Sequence, residues 1–436
     1  MYGIQKTRHC CSAFVLTLLV SSPVCAQTPT LVIDVASELQ PVFSALADAF
    51  EHDISVREHG GEPDLRLAQG TVSWRDVNSV AVTDEAVLTL LRETPESKAF
   101  LRFAASKAAQ QSLIDAGELP ASVTVTDQRG RSVDIPQPAE RIFSPYSLTT
   151  YMLYVLGAGD RIMFANYLGA RDPAGAAAME RIDPKFPERS IETPQETTNV
   201  EFVASITPGL VTAPADASWS DSVERIGVPL LGLRPESGRK IVEAMRILGR
   251  ALGPDATARA EAWSAYYDHV LDTIQDHTRN RQQQETRPRV LFTGSNRTRV
   301  ASGDMYQSAL IAAAGGRSVT EHLRGTWNDV DVEHVLQWDP DLILVAPYGQ
   351  ASVEAILDDP QWQLLDAVRS EDVLRVPKLV APWDTPVPDS VLGVIWLAEN
   401  LHGAATGLQC GAEAAFFYRR FYDYTLSDDE LTTLCK

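Results

Sequence analysis

Residues 255–281 read DATARAEAWSAYYDHVLDTIQDHTRNR, a run without Gly or Pro. Ala260, Trp263, Ala265, Tyr266, Val270, Leu271 and Ile274 recur near helical spacing, which predicts one long helix. At 1.5 Å per residue it makes a rod of about 40 Å, longer than an ordinary domain element. Such a rod suits a single stiff connection between two lobes.

The regions flanking the rod resemble each other. Before it, Asn199-Val200-Glu201-Phe202-Val203 leads through Pro208 to Leu210-Val211; after it, Asp331-Val332-Glu333-His334-Val335 leads through Pro340 to Leu342-Ile343. Each reads as a capped helix with a Glu in its first turn, a Pro that stops it, and a buried strand. Further strands are predicted at 141–144, 161–165, 290–293 and 342–346. The fold class that follows is α/β: two α/β lobes with mainly parallel sheets joined by one long helix, plus a small N-terminal α/β module. Ligands bind outside the carboxyl ends of parallel strands, so a cleft between two such lobes favours binding before any other clue.

The chain has 436 residues, 44% hydrophobic and 22% charged, with a net charge of −20. That charge repels nucleic acid and anionic lipid, so neither is an expected partner. Lys6, Arg8 and His9, the apolar run Ala13–Val20 and the step Val24-Cys25-Ala26 read as a secretory signal cut after Ala26. The run is too short to span a bilayer. A lipid anchor on Cys25 is the lesser alternative, because Ser22-Pro23-Val24 lack the usual lead-in. Periplasmic export follows. Of five cysteines, Cys410 and Cys435 alone remain after such a cut; a disulfide is the expectation in an oxidising compartment, two free thiols the alternative.

These breaks divide the chain into a signal peptide (1–26), a small module (27–121), a first lobe (122–253), the connecting helix (254–282) and a second lobe with C-terminal helices (283–436). From Val123 onward it resembles the helical-backbone, class III periplasmic substrate-binding proteins of ABC importers for ferric siderophores, haem and cobalamin. The resemblance is carried by Val123–Pro136 with Ala139–Ile142, by Ser302-Gly303-Asp304 through Ala314-Gly315-Gly316, and by Gly325-Thr326-Trp327 leading into Glu333. Asp339–Ile343, Asp359–Trp362 and Leu392–Ala398 complete it. It implies that Glu201 and Glu333 meet arginines of a membrane permease, giving two-point docking. The plainer alternative is that both merely favour their helix N-termini.

The N-terminal module resembles one lobe of molybdate-type binding proteins. Leu31–Leu39 with the helix through Phe50 is similar to that family's opening strand and helix, and His59-Gly60-Gly61 before Asp64–Gly70 to its second loop and helix. Ala86–Leu88, Pro95-Glu96, Ala99–Phe103 and Ala108–Gly117 look like its closing helices. The second lobe is missing, so no trap can close. Ser37 can offer a hydroxyl to an anion or simply begin a turn, and Glu62 repels an anion.

Cleft candidates are polar or aromatic residues just after strands: Tyr146, Ser147, Asn166, Tyr167, Arg171 and Trp219 in the first lobe, and Asn296, Arg297, Trp327, Tyr348 and Trp383 in the second. Aromatics pack against a chelator and Arg holds an anionic one. The histidines are scattered, so no bare-metal site is expected, and no cofactor. Neither a Gly-x-Ser-x-Gly elbow, a P-loop nor a His-Glu-x-x-His motif is present, so no enzyme is expected. The expected partners are a small-molecule metal complex and the permease and ATPase of an ABC importer, with the chain a monomer. Molybdate or tungstate, a nickel complex, and a sensor role on the same fold remain alternatives.

Overall fold

The computed structural model describes residues 30–50, 55–57, 62–170, 172–191, 198–283 and 287–435. The expected signal peptide with Cys25, the stretch His59-Gly60-Gly61 and the cleft candidate Arg171 lie outside the described residues.

In the N-terminal module, Leu31, Ile33 and Val35 bury alternate side chains along β1 (Thr30–Val35), which leads to α1 (Gln40–Ala49). β2 (Ser55–Arg57), β3 (Leu65–Gln69), β4 (Ser79–Ala81) and β5 (Ala86–Leu90) complete a sheet ordered β2-β1-β3-β5-β4. Two expectations are corrected here. Asp64–Gly70, read as loop and helix, contains β3, and Ala86–Leu88, read among closing helices, lies in β5. The reason is periodicity: Leu65 and Leu67 are buried while Arg66 between them is exposed, an alternation that only a strand places on one face. α2 (Pro95–Ala104) starts at a Thr94–Ser97 capping box, and the Ser106 side chain caps α3 (Lys107–Asp115).

The hairpin of β6 (Ser122–Thr126) and β7 (Ser132–Pro136) opens the first lobe. There β8 (Ile142–Ser144), α4 (Ser147–Val155), β9 (Ile162–Ala165), α5 (Pro173–Ile182) and α6 (Phe186–Arg189) precede α7 (Val200–Ile206) and β10 (Leu210–Pro214). α8 (Ser220–Arg225), β11 (Leu230–Leu233) and α9 (Gly238–Leu252) follow. The sheet runs β11-β10-β8-β9 with every pair parallel.

α10 is a single helix from Pro254 to Gln283. Trp263, Tyr266, Val270 and Ile274 are wholly buried along it, whereas Ala265, expected on the same stripe, is exposed. Arg246 of α9 holds Glu261 bidentately (2.9 and 2.8 Å) and ties the two helices together.

The second lobe comprises β12 (Arg289–Thr293), β13 (Arg299–Ala301), α11 (Tyr306–Ala313), β14 (Arg317–Ser318), β15 (Trp327–Asp329), α12 (Val332–Trp338) and β16 (Leu342–Val345). α13 (Val353–Leu357), α14 (Asp366–Arg369) and β17 (Val373–Arg375) complete it. Its sheet runs β15-β13-β12-β16-β17, with β14 also on β12; β13 is antiparallel to both its neighbours, β12 and β15, and the other pairs are parallel. α15 (Ser390–His402), α16 (Cys410–Tyr422) and α17 (Asp428–Leu434) end the chain, with Cys410 and Cys435 disulfide-bonded. These helices return to the first lobe, where Glu430 pairs with Arg181 at 2.6 Å. Among the described residues no helix is long and apolar enough to cross a membrane.

Candidate functional site

The parallel strands of each lobe end at one edge of its sheet, and those two edges meet. The loop after β9 and the strap after β17 touch: Lys378 pairs with Asp172 at 3.0 Å. A side chain added at Gly169 or Gly175 would lie 3.0 Å from the carbonyls of Val380 and Leu379. The region between the lobes is therefore lined by carboxyl-end loops from both sheets. α10 runs beneath: Tyr267, stacked on Trp263, approaches Gly238 at the start of α9 so closely that only glycine fits there.

On the first-lobe side, Tyr146 and Ser147 follow β8 directly, and both are buried. Behind them Ser144, Thr149, Thr150 and Thr212 share a buried set of hydroxyl contacts of 2.8–3.2 Å, which fixes the loop without a net charge. Burial raises the Tyr146 phenol well above its ordinary pKa; Glu236 and Asp216 add to this, and Arg234 opposes it. Asn166 donates through Nδ2 to the Pro145 carbonyl (2.7 Å), so it serves the Tyr146 loop. Tyr167 lies in the core beside Phe186, its hydroxyl 2.9 Å from that of Tyr154, and burial pushes its phenol up to about 12. Trp219 packs with Val203, Val211 and Val223 under the sheet.

On the second-lobe side, Asn296 is exposed and accepts from the Thr298 amide (3.1 Å). Arg297 pairs with Asp359 at 2.7 Å and donates to the Ala355 carbonyl, so its charge is already engaged. Trp327 is half-buried, its ring so near Gly294 that an added side chain would sit 2.6 Å from it. Trp383 is wholly buried. Tyr348, half-buried, donates its hydroxyl to Asp384 Oδ2 (2.8 Å).

The expected list missed Asp384 and Gln307, which hydrogen-bond with Tyr348 and with each other, and the neighbouring Tyr306, Ser390 and Tyr267. Asp384, wholly buried, also accepts from Gln307 Nε2 at 3.3 Å. Tyr306 donates to Ser390 Oγ at 2.6 Å, and Tyr267 lies near enough to affect its ionisation. Burial raises the Asp384 carboxyl from its ordinary 3.8 to about 6, against the lowering by Tyr348 and Gln307. One signal was available: Asp384 directly follows the nominated Trp383.

Glu201 and Glu333 are exposed in the first turns of α7 and α12, and among the described residues neither is ion-paired. Their positions correspond by backbone register. Leu210 lies opposite Ile142 and Leu342 opposite Val290, so each Glu sits nine residues before an equivalent strand residue. The Asn199 side chain accepts from the amides of Glu201 and Phe202, as expected, whereas the Asp331 carboxylate makes no such cap. Beside Glu333, His322, Asp329, Asp331, His334 and Trp338 line an open groove of about 600 Å³. Among the described residues no three His, Cys, Asp or Glu side chains are grouped to hold a metal ion. In the N-terminal module, the Ser37 hydroxyl donates to the adjacent Glu38 carboxylate (3.1 Å), which repels an anion.

A family profile described as periplasmic binding protein matches residues 145–379. The molybdate-binding protein MolA of Haemophilus influenzae is 21% identical over 310 residues, covering 65% of this chain and 83% of that protein. The MolA structure with molybdate superposes with a TM-score of 0.61 at 17% identity, covering 70% of this chain and 99% of that one. A vitamin B12-binding protein of Yersinia pestis is 24% identical over 217 residues, 48% of this chain and 70% of that protein. The structure of a periplasmic solute binding protein from Veillonella parvula gives a TM-score of 0.65 at 22% identity, covering 72% of this chain and 97% of that one.

Proposed function

The chain belongs to the periplasmic binding protein family, and on that premise we propose that it is the solute receptor of an ABC importer, capturing a metal complex between its lobes and delivering it to a membrane permease. A ferric siderophore is the foremost candidate, cobalamin or haem the next. The observation that carries this reading is the apposition of two parallel-sheet edges across α10, with carboxyl-end loops meeting at Lys378 and Asp172. The similarity to a vitamin B12-binding protein supports a metal complex as the solute. Glu201 and Glu333, exposed and register-matched, are the docking points for arginines of the permease, whose ATPase drives release. The first 26 residues are the export signal, and the receptor works as a periplasmic monomer in the five segments set out above.

A second reading, molybdate or tungstate, draws on the similarity to MolA over 83% of that protein. A thermal-shift screen of the exported chain separates the two. Ligand at a hundred times its Kd stabilises the folded state by about 2.7 kcal/mol, which raises the melting temperature by a few degrees. A rise with a ferric hydroxamate, haem or cyanocobalamin is expected. A rise with molybdate alone supports the second reading, and no rise with any of them contradicts both.

A further inference from the structure

The floor of the second lobe has a donor and acceptor balance that selects among solutes. Tyr348 has one O–H, and it is committed to Asp384; the O–H of Tyr306 is committed to Ser390. The amide of Gln307 also donates to Asp384. What remains on Tyr348, Gln307 and Asp384 are acceptors; the indole Nε1 of the adjoining, wholly buried Trp383 is a donor without a partner among the described residues. Among the described residues Asp384 Oδ1 and Gln307 Oε1 have no partner, although Asp384 is wholly buried and Gln307 is 5% exposed. A buried acceptor left without a donor is destabilising, and two on residues that hydrogen-bond each other invite a donor from outside. The half-buried Tyr348 adds its phenol oxygen at the edge of the same group, where the Gln307 side chain already donates to it.

The nearby cations do not reverse this balance. Arg297 pairs with Asp359, Lys378 with Asp172, and Arg234 with Asp216 at 3.7 Å. Arg375, beside this loop and without an ion pair among the described residues, gives its guanidinium to the Ala346 and Ala351 carbonyls, so an oxyanion at Tyr348 would face the Asp384 carboxylate with each of these four cations already engaged.

We propose that Asp384, Gln307 and Tyr348 form the recognition point of the second lobe, and that it takes a ligand group bearing hydrogen-bond donors or positive charge. Amide, hydroxyl or ammonium groups on the rim of a metal complex have this chemistry; a bare oxyanion does not. The inference rests on the receptor reading above and narrows its solute class. Asp384 carries the negative charge, Gln307 adds a neutral acceptor, and Tyr348 carries the effect outward to the solvent-facing side.

The test is calorimetric titration of the exported chain with ferrioxamine B, cyanocobalamin and sodium molybdate, for the wild type, Asp384→Asn and Tyr348→Phe. Binding of ferrioxamine B or cyanocobalamin is expected, with no heat from molybdate. Asp384→Asn should weaken that binding about tenfold or more, since a charge-assisted hydrogen bond is lost. Tyr348→Phe, which removes only the phenol oxygen, should weaken it by about fivefold, and it carries the test if Asp384→Asn does not fold. Wild-type affinity in both variants, or molybdate binding that improves in Asp384→Asn, overturns this inference and leaves the receptor reading standing. Binding of none of the three counts against both.

Discussion

The helix-to-strand unit of the first lobe and that of the second share a backbone and differ in chemistry. α7 and α12 each span seven residues, each ends on a left-handed residue (Thr207 at φ 44°, Asp339 at φ 42°), and Pro208 or Pro340 follows. Even the arginine before Ile142 and Val290 recurs. Arg141 donates to the Ile206 and Thr207 carbonyls, and Arg289 to the Trp338 carbonyl and to Asp339 and Asp341. The surroundings diverge: neutral hydroxyls fix the first-lobe edge, while the second lobe buries a carboxylate at its edge and adds the antiparallel strands that carry Trp327. On the receptor reading proposed above, equivalent backbone would serve what both lobes do together, presenting one Glu each, while different side chains would suit each wall to its own part of the solute.

The largest expected effect breaks the shared part. With Glu201→Ala and Glu333→Ala combined, uptake in whole cells should be lost, while solute affinity of the purified chain stays within about twofold, because both carboxylates are exposed and their proposed role is docking. Each single variant should retain partial uptake. Loss in one alone would mean that only one lobe docks.

The next effect sharpens the asymmetry of support. α16 and α17 lie against the first lobe and are tied by Cys410–Cys435, 25 residues apart. Replacing both cysteines by Ser should lower stability in urea by on the order of 3–4 kcal/mol, the loop-closure value for that separation. Hydrogen exchange should rise in the first lobe before the second.

A pH effect then separates the charged wall from the neutral one. Burial raises Asp384 from 3.8 to about 6, so between those values the folded chain holds a proton that the unfolded chain has lost. Stability therefore falls as pH rises through that window. Asp389, wholly buried beneath Tyr418 and Tyr422, is raised to about 6 for the same reason and adds to the slope. Asp384→Asn should be the more stable protein at pH 7.5, by up to about 3 kcal/mol, and should lose that advantage below pH 4. Equal melting curves at both pH values would contradict the assignment.

The smallest effect compares the two left-handed residues. Thr207 is β-branched, so Thr207→Gly should stabilise by about 1 kcal/mol; Asp tolerates that conformation, and Asp339→Gly should change stability by about 0.5 kcal/mol or less. A reversed order in urea unfolding would undo the comparison.

Much of this was legible before any coordinates. The repeated unit is local, written in an N-cap, a first-turn Glu and a Pro, and α10 declares itself by lacking Gly and Pro over 27 residues. Strands at β8, β9, β12 and β16 follow from short buried runs. The resemblance-based reading of Asp64–Gly70 as helix failed where simple alternation at Leu65 and Leu67 pointed to a strand. The site was less legible, because its parts meet only through tertiary folding. Tyr267, Gln307, Tyr348 and Asp384 come from four separate segments, and nothing local to Arg297 announces Asp359 as its partner. Aromatic residues after strands, such as Trp219 and Tyr167, look alike in sequence whether they line a cleft or fill a core.

Hydrogen exchange with and without bound solute asks most directly whether two lobes enclose it. Protection is expected at once in the loop of Pro145–Ser147 and in the segments around Tyr306–Gln307, Tyr348 and Trp383–Asp384, with the N-terminal module unchanged. Protection confined to one lobe, or to the module around Ser37, would contradict a solute held between them.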